Sequence, residues 1–462
     1  MAETIPADGV VVTRAESEIP PAGAIASGTT DSLPAFPYRA YVLFVSVLVG
    51  ACSTLDRQIL TMLVEPIRKE FELSDQQVGL ITGLAFALVY VLAAIPAARL
   101  ADRWSRRGVV ALAVSAWSFM TVVCGFAQSF VQLFLARVGV GLGEAGGSAP
   151  IQALISDYFP QKQRGTALSI YLLGSPIGMG VGLAFGGWAL AEYGWRWAFI
   201  LAGVPGLIIG PLVYFTIREV RAGLADGVRQ TFAQPPFGET IRTLWNIRTL
   251  PLMMLAATIQ ALIGMGMHAW IPAFVERSHG LGSVEIGAKL GLYVATGSIL
   301  GHICGGPLAD ILGRRDIRWH LWTPIIAGLL AVSAAAFAFT GPVEYAFPLF
   351  GIQVFLTGLF AAPMIYICTT LAPVWARATS AACSMFIINL IGLGLGPVAI
   401  GKLSDLLRPS YGDESLRMAL LCSLVVVIPA AICFLLASRT YKADFEAARI
   451  RLGQASLPAM GH

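Results

Sequence analysis

Apolar runs, each about the length of a bilayer crossing, alternate with short polar loops along most of the chain. A helix needs about 20 mostly apolar residues to span a hydrocarbon layer. Runs of that size occupy 41–64, 77–98, 108–128, 130–156, 165–191, 196–217, 251–274, 286–309, 320–340, 345–370, 378–402 and 417–438. Backbone groups in lipid must be hydrogen-bonded internally, so this pattern predicts an all-α membrane protein with twelve transmembrane helices. Residues 1–38 are polar and rich in Pro, Ala and Ser, which predicts a disordered tail. They lack the short basic stretch and immediate apolar core of a cleavable secretory signal, so none is expected. The expected organisation is a six-helix bundle over 39–217, a linker over 218–248 carrying Pro235, Pro236 and five Arg, a second six-helix bundle over 249–440, and a tail over 441–462.

Composition supports this assignment and excludes several function classes. Hydrophobic residues make up 56% of the 462 and charged residues 13%, against about 25% charged in ordinary soluble domains. The 31 Lys and Arg exceed the 27 Asp and Glu by only four, too small and scattered an excess for a nucleic-acid partner. All seven Cys fall inside the apolar runs without metal-finger or paired spacing, so they read as packing residues and no metal site is expected. No Ser/His/Asp or metal-ligand arrangement is visible, so neither catalytic residues nor a cofactor are expected. Gly141 to Gly146 fits the dinucleotide pattern GxGxxG, yet no strand precedes it. Glycines inside a span allow close helix approach instead.

Orientation follows from the basic residues. The even-numbered loops hold fifteen (Arg99, Arg103, Arg106, Arg107, Lys162, Arg164, Arg218, Arg221, Arg229, Arg242, Arg248, Arg314, Arg315, Arg318 and Arg377); the odd-numbered loops hold eight. Lys and Arg are retained on the cytoplasmic side during insertion, which places the even loops and both termini inside a bacterial-type inner membrane.

An internal repeat divides the chain. ARLADRWSRR (98–107) and GPLADILGRR (306–315) share five of ten positions at an offset of 208, and PQKQRGT (160–166) recurs as PVWARAT (373–379) at an offset of 213. Two pseudo-symmetric six-helix halves follow, the build expected of a secondary transporter that rocks around a midplane site. The pattern Gly-x-Leu-Ala-Asp-x-x-Gly-Arg-Arg resembles the loop signature of the major facilitator superfamily. Gly306 to Arg315 matches it throughout, whereas Ala98 and Ser105 stand where glycine is usual. LDRQIL (55–60), RVGVGLGEAGGSAPIQALISDYFP (137–160) and SIYLLGSPIGMGVG (169–182) are similar to the Spinster-like group, whose members move lysophospholipids and sphingosine phosphate. The LDR and R-x-x-x-G-x-G-E-A motifs also resemble the organic-anion/cation symporters. The resemblance implies a major facilitator fold in which the first and fourth spans line one cavity.

Four ionisable residues lie deep in the apolar runs: Asp56 and Arg57 in the first, Arg137 and Glu144 in the fourth. Each costs about 2.5–3.5 kcal/mol near the bilayer centre, so such residues face a protein interior and find partners there. Arg137 and Glu144 are seven apart, about two helical turns, and share one face. Asp56 and Arg57 are adjacent and need partners elsewhere. A four-charge cluster is expected, with Asp56 to Arg137 and Arg57 to Glu144 as one pairing. A carboxylate that alternates between a guanidinium and a dry unpaired state changes its proton affinity, which makes Asp56 and Glu144 proton-coupling candidates and frees Arg57 and Arg137 to bind an anion. A fixed salt-bridge network is the structural alternative.

In the second half the polar residues of the spans are Gln260, His268, His302, Thr357, Tyr366 and Asn389. Tyr366 and Asn389 are the candidate substrate contacts there, and both His read as packed helix residues. Charge on one wall and apolar or aromatic groups on the other suit an amphiphilic anion. Asp102, Arg106 and Asp157, with Asp310 and Arg314 in the second copy, are candidate gates holding the cytoplasmic side shut, or else topology anchors. Asp102 is placed to cap the following helix, and Arg106 to reach Asp157 at the end of the fourth span. Asp157 corresponds to Thr370 at the 213 offset, so the second copy lacks that acid. The expected function is a monomeric, proton-coupled carrier of a lysolipid or sphingoid phosphate, with a small organic anion as the alternative cargo.

Overall fold

The computed structural model describes residues 33–220 and 236–451; the expected tails and linker otherwise lie outside the described residues. The twelve spans follow in order as α1 (Phe36–Glu70), α2 (75–103), α3 (Arg106–Cys124), α4 (130–158), α5 (161–193), α6 (195–216), α7 (Thr249–His279), α8 (Ser283–Arg315), α9 (Trp319–Thr340), α10 (343–371), α11 (377–411) and α12 (415–451). Among the described residues, eight continuous helical stretches are long and apolar enough to cross a bilayer, and two of these, Gln161–Thr216 and Thr379–Arg451, hold two spans each. The remaining spans are α8 and α4, the latter broken between Glu144 and Ser148.

Local chemistry sets the helix boundaries. Pro37 stands in the first turn of α1, where its missing N–H costs nothing. Ser74 and Gln77 close a reciprocal capping box at the start of α2. Ser105 and Ser129 accept N–H groups of the first turns of α3 and α4. Gly194, at φ 79°, turns the chain between α5 and α6.

Two segments extend past the apolar pattern. Phe237–Trp245 forms a short helix in the connector. α12 runs on to Arg451, beyond the expected boundary at 440, because its last turns pack back on the bundle. Tyr441 and Ala448 are buried there. Lys442 reaches Asp316 at 3.1 Å, and Asp444 accepts the Thr249 N–H at the start of α7 at 2.9 Å.

Between the two halves α5 packs on α8, α2 on α11 and α1 on α7. The hydrogen bonds and ion pairs that join described residues of one half to the other all lie at one end, where α1, α7 and α11 finish and α2 and α8 begin. The described chain ends lie at the opposite end. On the α5–α8 seam a Cβ at Gly187 would stand 2.2 Å from the Ser283 carbonyl oxygen, and the Ser283 hydroxyl donates to the Gly187 carbonyl at 3.0 Å. A side chain there forces the backbones apart, and overpacking of this kind costs about 1–3 kcal/mol. Gly187→Leu is therefore expected to slow transport roughly tenfold, while gel filtration still shows a monodisperse protein. Transport at the parental rate would mean that this seam need not close.

Candidate functional site: a charge cluster and an ion-pair seam

A cavity of about 100 Å³ lies in the first half, with Ser53, Thr54 and Arg57 of α1, Tyr90 of α2, Trp117 of α3, Glu144 of α4 and Ser175 of α5 in its wall. Arg57 Nη1 stands 2.9 Å from Glu144 Oε1, and the Ser53 hydroxyl donates to the same oxygen. Arg57 also donates to the Thr54 hydroxyl at 3.4 Å. The Arg57 side chain is 27% exposed and Glu144 4%, so the guanidinium is the accessible member of the pair.

The second expected pair does not form. No ion pair or hydrogen bond joins Asp56 to Arg137 among the described residues. Asp56 is fully buried and accepts the Thr121 hydroxyl of α3 at 3.3 Å, while its Oδ1 has no partner. Arg137 is 1% exposed, and its Nε and Nη1 lack acceptors. Successive helix residues point about 100° apart. The α1 backbone thus aims Arg57 at the cavity and Asp56 at α3, a helix that carries no deep charge and is silent in the sequence pattern. Unpartnered buried atoms gather here: Asp56 Oδ1, Trp117 Nε1, Ser118 Oγ, Arg137 Nε and Nη1, and Glu144 Oε2.

Neither Tyr366 nor Asn389 lines this cavity. The Tyr366 ring stacks on His320 of α9, with centroids 4.6 Å apart. Asn389 opens the wide turn Asn389–Leu395 of α11. His268 contacts Gln353 at 3.4 Å and His302 its own helix carbonyl at Ser298, at 2.8 Å.

Of the expected gate residues, Arg106 and Asp157 meet as expected. Arg106 donates to Asp157 and to the Ala153 carbonyl, both on α4. That contact stays inside the first half and does not bridge the halves. The Asp102 side chain lies outside the described residues. The start of α3 is served by Glu219, which accepts the Ser105 hydroxyl at 2.6 Å and the Arg106 N–H at 2.9 Å, where a helix N-terminus favours a carboxylate. Asp310 and Arg314 are exposed and form no ion pair with a described residue.

The contacts that do bridge the halves were not expected from the sequence. Arg277 of α7 sits between Glu65 of α1, at 2.7 Å, and both carboxylate oxygens of Asp75 of α2, at 2.8 and 2.9 Å. Arg68 holds Glu65 at 2.7 Å, and the Ser404 hydroxyl of α11 donates to Asp75 at 2.7 Å. Asp405 accepts the N–H groups of Asp75 and Gln76 at 3.0 and 2.8 Å, and Lys69 reaches Glu276 at 3.4 Å. Glu65 and Asp75 are only 2% exposed, so the core of this network around Arg277 is dry. The spacing of Glu65 and Arg68, one turn apart at a helix end, was the available signal.

Twelve membrane-spanning helices in two halves, sealed at one end and enclosing a charged cavity, define a transporter. The chain belongs to the major facilitator superfamily, whose model matches residues 46–397, and within it is Spinster-like. It is 33% identical over 416 residues to an MFS-type efflux pump of Mycolicibacterium smegmatis, covering 88% of this chain and 95% of that protein. It is 27% identical over 447 residues to the mouse sphingosine-1-phosphate transporter SPNS2, covering 87% and 78%. A probable galactarate/D-glucarate transporter of Bacillus subtilis is 24% identical over 321 residues, covering 63% and 70%. Among solved structures, a bacterial homologue of the human lysosomal transporter Spinster, in an inward-facing and unoccupied conformation, superposes with a TM-score of 0.80 at 30% identity, covering 89% of this chain and 99% of that one. The protein is a transporter and not an enzyme.

Proposed function

We propose that the protein is a proton-coupled carrier of an amphiphilic anion of the lysolipid or sphingoid-phosphate type, working by alternating access with its sealed seam facing outward. The carrying observation is the Arg57–Glu144 pair at 2.9 Å in the cavity wall, beside a fully buried Asp56 with an unpartnered oxygen. An anion arriving at Arg57 competes with Glu144 for the guanidinium. A carboxylate that loses its cation in a dry site takes up a proton. Substrate binding and protonation are linked through one side chain. The basic excess on the even-numbered loops supports cytoplasmic termini in a bacterial inner membrane, hence an outer seam and an inward-opening cavity. The Spinster-like relatives support the lipid class.

A small organic anion is the second reading, favoured by a cavity of only about 100 Å³ and by relatives named for sugar acids. Purified protein in proteoliposomes, offered lysophospholipids, sphingoid phosphates and dicarboxylates with and without an imposed pH difference, separates the two. Competition by the lipids alone supports the first, and competition by the soluble acids alone overturns it. In the same assay Arg57→Ala is expected to weaken binding of the anion roughly 30–100-fold, with Arg57→Lys retaining most of it. Equal binding by Arg57→Ala and the parent would remove Arg57 from the site.

A further inference from the structure

We propose that Phe86 is a positioning residue that holds the buried Arg137 guanidinium of the cluster and, with Tyr90, connects cavity occupancy to Asp56; the proposal rests on the proton-coupled reading above. Phe86 is 1% exposed and stands directly after the wide turn Leu80–Leu84 of α2, whose extra residue re-aims the side chains that follow. At Gly141 a Cβ would stand 2.5 Å from the Phe86 carbonyl oxygen, so α2 and α4 touch backbone to backbone one turn from Arg137. This contact fixes the ring at the level of the charges.

Both guanidiniums lie within cation–π range of that one ring: Arg137 Cζ is 5.6 Å from its centroid and Arg57 Cζ is 5.7 Å. For Arg137 the ring takes the place of a carboxylate, since no acid among the described residues pairs with this fully buried side chain and two of its nitrogens lack acceptors. An aromatic face attracts a guanidinium and accepts no proton. It thereby keeps Arg137 from closing on Asp56 and leaves Asp56 free to bind one. The groups around Asp56 are Cys52 and Arg57 on its own helix, Cys124 on α3, and Arg137 and Glu144 on α4. Of these, Arg137 is the buried cation without an acid partner. Tyr90, in the cavity wall, stacks on Phe86 with centroids 5.3 Å apart and 17° between ring planes. Cargo pressing on Tyr90 moves the ring that holds Arg137.

The test compares Phe86→Leu, Phe86→Trp and the parent in proteoliposomes. Two readouts are taken: the pH profile of gradient-driven uptake, and counterflow of substrate at equal pH on both sides. In Phe86→Leu, Arg137 pairs with Asp56 and holds it ionised. Gradient-driven uptake should fall about tenfold with its pH profile shifted to lower pH, while counterflow stays within about twofold. Phe86→Trp keeps an aromatic face and should restore the parental profile. A parental profile in Phe86→Leu, or a loss in Phe86→Trp as deep as in Phe86→Leu, overturns the role of the ring. Loss of counterflow in both variants with normal gel filtration overturns it too, by placing Phe86 in cargo binding. Parental uptake indifferent to the imposed gradient instead sinks the proton-coupled reading, a separate outcome.

Discussion

Replacing Arg277 by Ala is expected to unlatch the sealed end. The side chain is the sole cation touching Asp75 at hydrogen-bond distance among the described residues, and it shares Glu65 with Arg68. Removing one member of a buried ion pair strands its partner in a dry site and costs about 3–5 kcal/mol. That cost falls on the conformation in which the seam is closed, because the other open state exposes Glu65 and Asp75 to water. About 3 kcal/mol shifts a two-state equilibrium on the order of 100-fold. Spin labels at Glu72→Cys and Arg408→Cys, in a background free of other thiols, flank this end of α2 and α11. The distance distribution should move from one short population in the parent to a dominant longer one in Arg277→Ala. An unchanged distribution would show that helix packing alone, through α5–α8 and α2–α11, keeps the seam shut. Arg277→Lys reaches one carboxylate at a time and should fall between the two, since the bidentate fork is lost.

Asp56→Asn and Glu144→Gln should each remove proton-driven accumulation without removing the protein's fold. Each pH unit across the membrane supplies about 1.4 kcal/mol per coupled proton, roughly tenfold in accumulation ratio. Under a two-unit gradient the parent should reach on the order of 100-fold per proton coupled, whereas the variants should approach unity. Counterflow at equal pH should survive in Asp56→Asn, whose amide can still accept the Thr121 hydroxyl. In Glu144→Gln the loss of the Arg57 partner should tighten binding of the anion, because the guanidinium no longer has a competing carboxylate. Accumulation by both variants at the parental level, with the parental pH dependence, would reduce the cluster to a fixed helix-orienting network.

Much of the architecture is legible in one dimension. Twelve apolar runs, two loop repeats and the near absence of charge within the spans leave few alternatives, since bilayer thickness and backbone hydrogen bonding dictate length and helicity. The depth of Asp56, Arg57, Arg137 and Glu144 was equally plain. Their pairing was only half legible: Arg57 meets Glu144, but the rotation between adjacent residues of α1 turns Asp56 to Thr121 of α3, a side chain without charge. The loop motifs were legible in part. Arg106 and Asp157 do pair, yet both belong to the first half, while the residues that bridge the halves look like ordinary loop charges in the sequence.

The sequence by itself determined the number of spans, their division into two halves, and which charges are forced into oil, because these depend on local composition and on periods within single helices. The tertiary structure alone decided which end is sealed, that Arg277 closes it across Glu65 and Asp75, and that both of the cluster's arginines lie within cation–π range of one uncharged ring, Phe86. Those facts depend on how helices distant in the chain are rotated and pressed together, and hydrophobic periodicity fixes the face a helix buries without fixing the residue that waits opposite it.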